Sequence, residues 1–294
     1  MGAAVIAPRC IVCEQALRAW FTRHGRVVHW CRECGHIQVP AGLVRTADGR
    51  SIYEEEHAEI FEGSGSADYY LDDGAQEAAR SKLAFVERLA GQGGKLLDLG
   101  SNFGHFLSAA RSLYDASGIE PNPSAVVWSC REFGVRNAQG SIYELSHHCT
   151  SQPRVMTAWD VIEHLDDPRR ALRECRKHIM PGGWMFLSTP DAGSLVARAM
   201  GRRWHYQDPV QHINLLSKRN LDRLLLESGF RPVEHITLGR TYRLSYILSR
   251  IEFLLDAHPL ARAIRLIRCL PRSWQAMHLS IRLGDVIAVA ARAV

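Results

Sequence analysis

Lys95-Leu-Leu-Asp-Leu-Gly-Ser-Asn-Phe-Gly104 is the stretch whose reading decides the fold. A short apolar run carries Asp98, two glycines follow at Gly100 and Gly104, and a helical pattern resumes with Phe106, Leu107 and Ala110. That is strand, tight turn and helix, and the glycines let backbone approach a ligand closely. The next apolar run ends in Gly118-Ile-Glu-Pro121, which places Glu120 about twenty residues on, where a carboxylate binds ribose hydroxyls. The pattern calls for a nucleoside cofactor.

Charge decides which one. The dinucleotide fingerprint has three glycines and seats a pyrophosphate on the helix N-terminus. Here the spacing is Gly100-x-x-x-Gly104, a third glycine is missing, and Asp98 stands where its charge opposes a pyrophosphate. S-adenosylmethionine (SAM) has no phosphate; its ammonium and sulfonium suit a nearby carboxylate. SAM is the preferred cofactor, with Asp98, Gly100 and Gly104 in the pocket and Glu120 on the ribose.

At these residues the chain resembles the class I SAM-dependent methyltransferases. Asp98-Leu-Gly-Ser-Asn-Phe-Gly104 is similar to their first motif and Glu120 to their second. Trp159-Asp-Val-Ile-Glu-His-Leu-Asp-Asp-Pro168 resembles the fourth-strand segment of the branch containing the ubiquinone-biosynthesis O-methyltransferases. Pro181-Gly-Gly-Trp-Met-Phe-Leu-Ser-Thr-Pro190 resembles that branch's turn and fifth strand. The resemblance covers residues 50 to 293. It implies adenine contact at Ser141 and Ile142, where many relatives carry an acidic residue, so that recognition there falls to backbone. It also implies Asp160 in the cofactor pocket and Asn102, at a position often held by glycine, facing the methionine moiety. Tyr70, among the aromatics Tyr53, Phe61 and Tyr69, is expected to fold over the cofactor or to pin the linker to the core.

Alternating apolar runs and helical patterns argue for an α/β fold, a parallel sheet covered by helices on both faces. Strands are predicted near 95–99, 114–119, 135–138, 154–160, 183–188 and 229–236. Helices are predicted near 75–91, 104–112, 123–133, 168–179 and 217–228. The resemblance implies a Rossmann-like, seven-stranded, mostly parallel sheet whose last strand, at 283–292, is antiparallel. The domain reading is a zinc ribbon at 1–44, a linker or cofactor-covering segment at 45–75, and a methyltransferase domain at 76–294.

The ribbon rests on Cys10, Cys13, Cys31 and Cys34, spaced C-x2-C-x17-C-x2-C, with short strands at 27–30 and 36–39. Two C-x2-C knuckles place four thiolates tetrahedrally around one Zn²⁺, ahead of iron–sulfur or redox alternatives. Four thiolates leave no open coordination position, so the zinc is expected to be structural. Cys130, Cys149, Cys175 and Cys269 are scattered and read as apolar fillers.

The net charge is +5, but eight arginines against two acidic residues between Arg240 and Arg282 give that region +6 and leave the remainder near neutral. This argues against a general nucleic-acid-binding surface. Residues 242–281 form an insertion with helical spacing (Ile247, Ile251, Leu254, Leu255; Ile264, Ile267, Leu270), read as a lid, a homodimer contact, or a contact with a membrane surface or anionic substrate. No run of 18 apolar residues occurs, and the segment from Met1 to Arg9 is too short for a signal peptide, so a cytoplasmic protein is expected.

Methyl transfer from a sulfonium is an in-line displacement that depends on proximity and orientation. A hydroxyl acceptor gains from a general base with a pKa near the operating pH, which favours histidine. His164 is placed beside the methyl group by the resemblance. His212, in the Trp204–Ser217 stretch rich in Trp, Tyr, His and Gln, falls in a substrate-facing loop. His105 and His205 rank lower. Asp160, Glu163, His164 and His212 offer an alternative divalent-metal site. The expected activity is methyl transfer to a hydroxyl of a small molecule, sugar or glycan precursor. The alternatives are a ribosomal RNA base methyltransferase carrying a zinc ribbon, disfavoured because Asp160-Val-Ile-Glu163 stands where an Asn-Pro-Pro-Tyr-like motif is usual, and a non-catalytic SAM-binding protein.

Overall fold

The structure, a computed structural model, describes residues 8–40, 73–149, 151–244, 248, 278–281 and 283–294. Tyr53, Phe61, Tyr69 and Tyr70, most of the 45–75 segment and most of the 242–281 insertion lie outside the described residues.

The chain opens with three antiparallel strands, β1 (Leu17–Arg23), β2 (Arg26–Cys31) and β3 (Ile37–Gln38). After α1 (Asp73–Ala90) come β4 (Lys95–Leu99), α2 (His105–Ala110), β5 (Asp115–Glu120), α3 (Pro123–Phe133) and β6 (Asn137–Gln139). There follow α4 (Leu145–His148), β7 (Val155–Trp159), α5 (Pro168–His178), β8 (Trp184–Pro190), α6 (Leu195–Met200) and β9 (Asn214–Leu215). The last elements are α7 (Lys218–Glu227), β10 (Phe230–Thr237), β11 (Arg240–Arg243), β12 (His278–Ile281) and β13 (Val286–Ala293).

The main sheet has seven strands in the order β10-β13-β8-β7-β4-β5-β6. β4 through β8 run parallel, and β13 inserts antiparallel between β8 and β10. Side chains alternate between two apolar layers, as the period of a strand requires. Leu97, Leu99, Met156, Met185, Leu187 and Val289 face Leu172 and Cys175 of α5 and Leu221, Leu224 and Leu225 of α7. Leu96, Val155, Phe186, Ala288 and Ala290 face Phe85 and Val86 of α1 and Phe106 and Leu107 of α2. Each large side chain buried this way contributes about 1.5–3 kcal/mol. Helix starts are capped locally: the Asn122 side chain accepts from the Ser124 and Ala125 N–H groups, and Asp167 accepts from Arg170 N–H, each just ahead of a proline at N1.

The N-terminal strands do not stand apart. β3 pairs antiparallel with β9, so the four-stranded sheet β1-β2-β3-β9 takes its last strand from the loop following β8. Cys10, Val12, Leu17 and Cys31 belong to the same apolar cluster as Leu216, Leu221 and Leu224. The ends of the basic insertion meet where β11 and β12 pair antiparallel.

β4 leaves the sheet through Gly100, which adopts φ +68° and stands so close to the next strand's exit that a Cβ there would lie 2.6 Å from Val161 Cγ2. Left-handed backbone costs a substituted residue about 1–2 kcal/mol, to which this overlap adds. Gly100→Ala is therefore expected to destabilise the protein by about 2–4 kcal/mol, read as a lower midpoint in urea unfolding.

Candidate active site

At the carboxyl end of β4 the chain turns through three left-handed residues, Gly100, Asn102 (φ 48°) and Gly104 (φ 75°). Asparagine tolerates this conformation better than other side-chain-bearing residues, which explains its place between the glycines. The turn wraps the buried carboxylate of Glu120: Asn102 N–H donates to Oε2 at 2.8 Å and Asn122 N–H to Oε1 at 2.9 Å. Burial raises the Glu120 pKa, and the two N–H groups oppose that rise. Gly118 is needed opposite, because a Cβ there would meet Leu107 Cδ1 at 2.6 Å and Ser101 Oγ at 2.8 Å.

Asp98 is buried beneath the turn and accepts a hydrogen bond from Thr157 Oγ1 at 2.6 Å. Burial pushes its carboxyl up to about 7, against the Thr157 hydrogen bond and the positive charge of Lys82. Asp160, one residue past β7, also has positive φ (58°) and is fixed by Ser188, whose backbone oxygen and Oγ accept from Asp160 N–H at 3.1 and 3.0 Å. The Ser188 hydroxyl donates in turn to Asp160 Oδ1 at 2.9 Å. Lys82 of α1 brings Nζ to 3.4 Å from Asp160 Oδ2 and lies over the Trp159 ring. Three carboxylates and one ammonium thus gather at the ends of β4, β5 and β7. A cationic cofactor with a carboxylate of its own fits this set: the acids suit the sulfonium and ammonium, and Lys82 offers a partner for the carboxylate.

His164 closes the 3-10 turn Ile162–His164 after β7. His212 comes from the loop after α6, yet the two imidazole centroids are 5.0 Å apart. Each ring's Nδ1 is at a backbone carbonyl, His164 with Gln211 O at 2.7 Å and His212 with Tyr206 O at 3.0 Å. A carbonyl can only accept, so both rings carry a proton on Nδ1, and Nε2 is the acceptor nitrogen of the neutral imidazole. Glu163 is buried beside them, and ligand atoms of Glu163, His164 and His212 all lie within 4.8 Å of one another. The same three groups offer a hard or borderline divalent cation two nitrogens and a carboxylate.

The four N-terminal cysteines also converge. Cys10 and Cys34 sulfurs are 3.6 Å apart, Cys13 and Cys31 sulfurs 3.4 Å, and all four sulfurs lie within 4.8 Å of one another. Burial raises the Cys13 thiol to about 11, and the hydrogen bond with Cys10, together with burial, raises Cys34. Such a cluster is the donor set of a closed tetrahedral thiolate site. His36, fully buried, places Nδ1 3.4 Å from Cys10 Sγ.

Other residues singled out in the sequence have local duties. The Ser141 hydroxyl accepts from Tyr143 N–H at 3.3 Å as the cap of the turn Ile142–Glu144, and Ile142 packs on the apolar core. His205 reaches Asp285, which also accepts from Trp204 Nε1 at 3.1 Å. His105 packs on Phe133 and Trp128. Tyr70 lies outside the described residues. Lys82 escapes a sequence reading because nothing in the α1 pattern separates it from a solvated helix lysine.

The methyltransferase-domain family matches residues 71–235, more than half of the chain. A ubiquinone biosynthesis O-methyltransferase from Bordetella avium is 27% identical over 183 residues, covering 56% of this chain and 76% of that protein. Among solved structures, a SAM-dependent methyltransferase from Archaeoglobus fulgidus superposes with a TM-score of 0.52 at 16% identity, covering 80% of this chain and 99% of that one. The magnesium protoporphyrin IX methyltransferase of Synechocystis PCC 6803, solved with bound SAH, superposes with a TM-score of 0.52 at 10% identity over 80% of this chain and 97% of that one.

A carboxyl raised to about 7 makes cofactor binding pH-dependent. Asp98 is protonated below that value and ionised above it, and only the ionised form attracts a cation. SAM affinity measured by calorimetry is expected to rise as pH increases from 6 to 8, and Asp98→Asn to remove most of that rise. In the ligand-free protein the linkage has the opposite sense: the stability associated with the raised pKa is lost as pH climbs through about 7.

Proposed function

Because this chain belongs to the class I SAM-dependent methyltransferases, we propose that it methylates a hydroxyl oxygen of a small molecule, sugar or glycan precursor, with the His164–His212 pair supplying the general base. The observation that carries this reading is the convergence of the two rings: their centroids are 5.0 Å apart, and each Nδ1 is oriented by a backbone carbonyl, 2.7 and 3.0 Å away. SAM, when bound, supplies a methyl group on a sulfonium. The chain's own contribution is placement and proton transfer. Glu120 and the turn from Gly100 to Gly104 hold the nucleoside, Asp98, Asp160 and Lys82 balance the amino-acid end, and Asn102 borders it. A histidine Nε2 takes the acceptor's hydroxyl proton as the new O–CH3 bond forms and the S–CH3 bond breaks.

A second reading keeps the same acceptor and adds a divalent cation on Glu163, His164 and His212, favoured by their mutual approach within 4.8 Å. A cation held there would lower the acceptor hydroxyl's pKa directly. Turnover retained after every divalent cation except the cysteine-bound metal has been removed speaks for the base alone.

The four cysteines are assigned to one structural Zn²⁺. Metal analysis of the purified full chain is expected to find one zinc per chain, lost when Cys10 and Cys34 are both replaced by serine. The basic insertion 242–281 is read as a cover over the acceptor, with a second copy of the chain or an anionic membrane surface as competing partners; sedimentation with anionic vesicles separates the last. Among the described residues no helix is long and apolar enough to cross a membrane.

The decisive experiment is incubation of the protein with methyl-labelled SAM and fractionated cell extract. Label is expected in small molecules or glycan precursors, and label confined to RNA overturns the acceptor class. Once an acceptor is in hand, His164→Ala and His212→Ala are each expected to lower kcat by about 10²-fold or more with SAM affinity nearly unchanged. Unchanged turnover in either variant removes that histidine from the base role.

A further inference from the structure

A continuous set of hydrogen bonds joins the cysteine cluster to the histidine pair. The second knuckle is closed by Gly35 N–H to Cys31 O at 2.9 Å, and Cys31 N–H donates to His36 O at 2.8 Å. The chain passes directly into β3, where Ile37 faces Leu215 and Gln38 faces Asn214 across the antiparallel pair. Val39 N–H then donates to Ile213 O, next to His212, at 2.9 Å. On its far side this short strand is tied to the segment holding the other histidine: Ile213 N–H donates to Glu163 O at 3.0 Å and Asn214 Nδ2 to Leu165 O at 2.6 Å.

Two further links close the frame. Asn220 Nδ2 donates to Cys34 O at 3.1 Å while its Oδ1 accepts from Ser217 N–H, so the α7 cap is bonded to the knuckle itself. Arg23 and Arg26 of the ribbon donate to the carbonyls of Gln207 and Pro209 at 2.5 and 3.1 Å. The seam lined by Val28, Ile37, Val39, Pro209, His212 and Leu215 is too tight to admit a water molecule. Short strands cannot fix their own position, because two residues of ladder do not repay the entropy of ordering a long loop. The loop carrying His212 therefore takes its position from what it is bonded to.

We propose that the cysteine ribbon is a positioning element for the acceptor side of the active site: metal bound at Cys10, Cys13, Cys31 and Cys34 fixes β3, and β3 fixes where His212 stands relative to His164. This rests on the assignment of a metal to the four cysteines. Ile37, Val39 and Asn220 are positioning residues in this scheme. The cofactor turn at Gly100–Gly104 shares none of these bonds, so the ribbon governs the acceptor half and leaves the cofactor half alone.

Hydrogen exchange of the full chain, zinc-loaded against metal-stripped, tests it. Stripping is expected to speed amide exchange in 204–216 at least tenfold, to leave 95–122 within twofold, and to leave SAM affinity within twofold; adding Zn²⁺ back restores protection. A purified protein that binds no metal at the cysteines refutes the underlying zinc assignment. A protein that binds zinc yet shows the same loop exchange with and without it overturns the coupling alone. If stripping unfolds the whole chain, zinc-loaded Asn220→Ala decides: faster exchange confined to 204–216 supports the coupling, and an unchanged loop overturns it.

Discussion

The site depends on a reversal of direction at β4. From this central strand the chain builds outward through β5 and β6, then returns to build β7 and β8 on the other side. The chain leaving β4 and the chain leaving β7 run to helices on opposite faces of the sheet, and in such sheets ligands bind in the crevice at the carboxyl ends of these strands. Everything that gathers there is a consequence: the left-handed turn at Gly100, the carboxylate of Glu120 inside it, and Asp160 held at positive φ by Ser188. The strained positions at Asn102 and Asp160 flank the crevice from the two diverging exits, where backbone strain is most often tied to ligand handling.

Electrostatics sharpen the reading of the pocket. Asp98 argues against a pyrophosphate in the sequence because it is read as a full negative charge. In the fold it is buried against Thr157, and its pKa rises to about 7. The site is therefore not a fixed pool of negative charge but one that a cationic cofactor helps to ionise. Lys82, contributed by α1, holds part of the balance through Asp160. That lysine arrives from a helix outside the strand–turn–helix unit, which is why motif spacing could not reveal it.

How much was legible follows from what each element depends on. The central strands of the main sheet are buried along most of their length, so their apolar runs announce themselves, and the predicted strands at 95–99 and 154–160 match β4 and β7 closely. Helices α3 and α5 carry their own caps in Asn122-Pro123 and Asp167-Pro168. By contrast β9 is two residues long and exists because β3, some 175 positions earlier in the chain, lies beside it. Nothing in Asn214-Leu215 signals a strand. β1 and α6 were missed for a related reason: their apolar residues, such as Trp20 and Phe21 or Val196 and Ala197, pack on the ribbon–loop seam and not on the main sheet.

The sequence alone determined the strand–turn–helix core of the cofactor half, because that core is local: strand, turn, helix and acid lie within about 25 residues. It also determined that four cysteines form a set, since two C-x2-C knuckles carry their geometry in their spacing. Only the tertiary structure decided that His164 and His212, read from sequence as rival bases, are neighbours with the same tautomer. Only it decided that the ribbon ends on the loop bearing His212. These contacts join segments far apart in the chain, and their specificity lies in backbone hydrogen bonds, which every residue can make and no sequence pattern records.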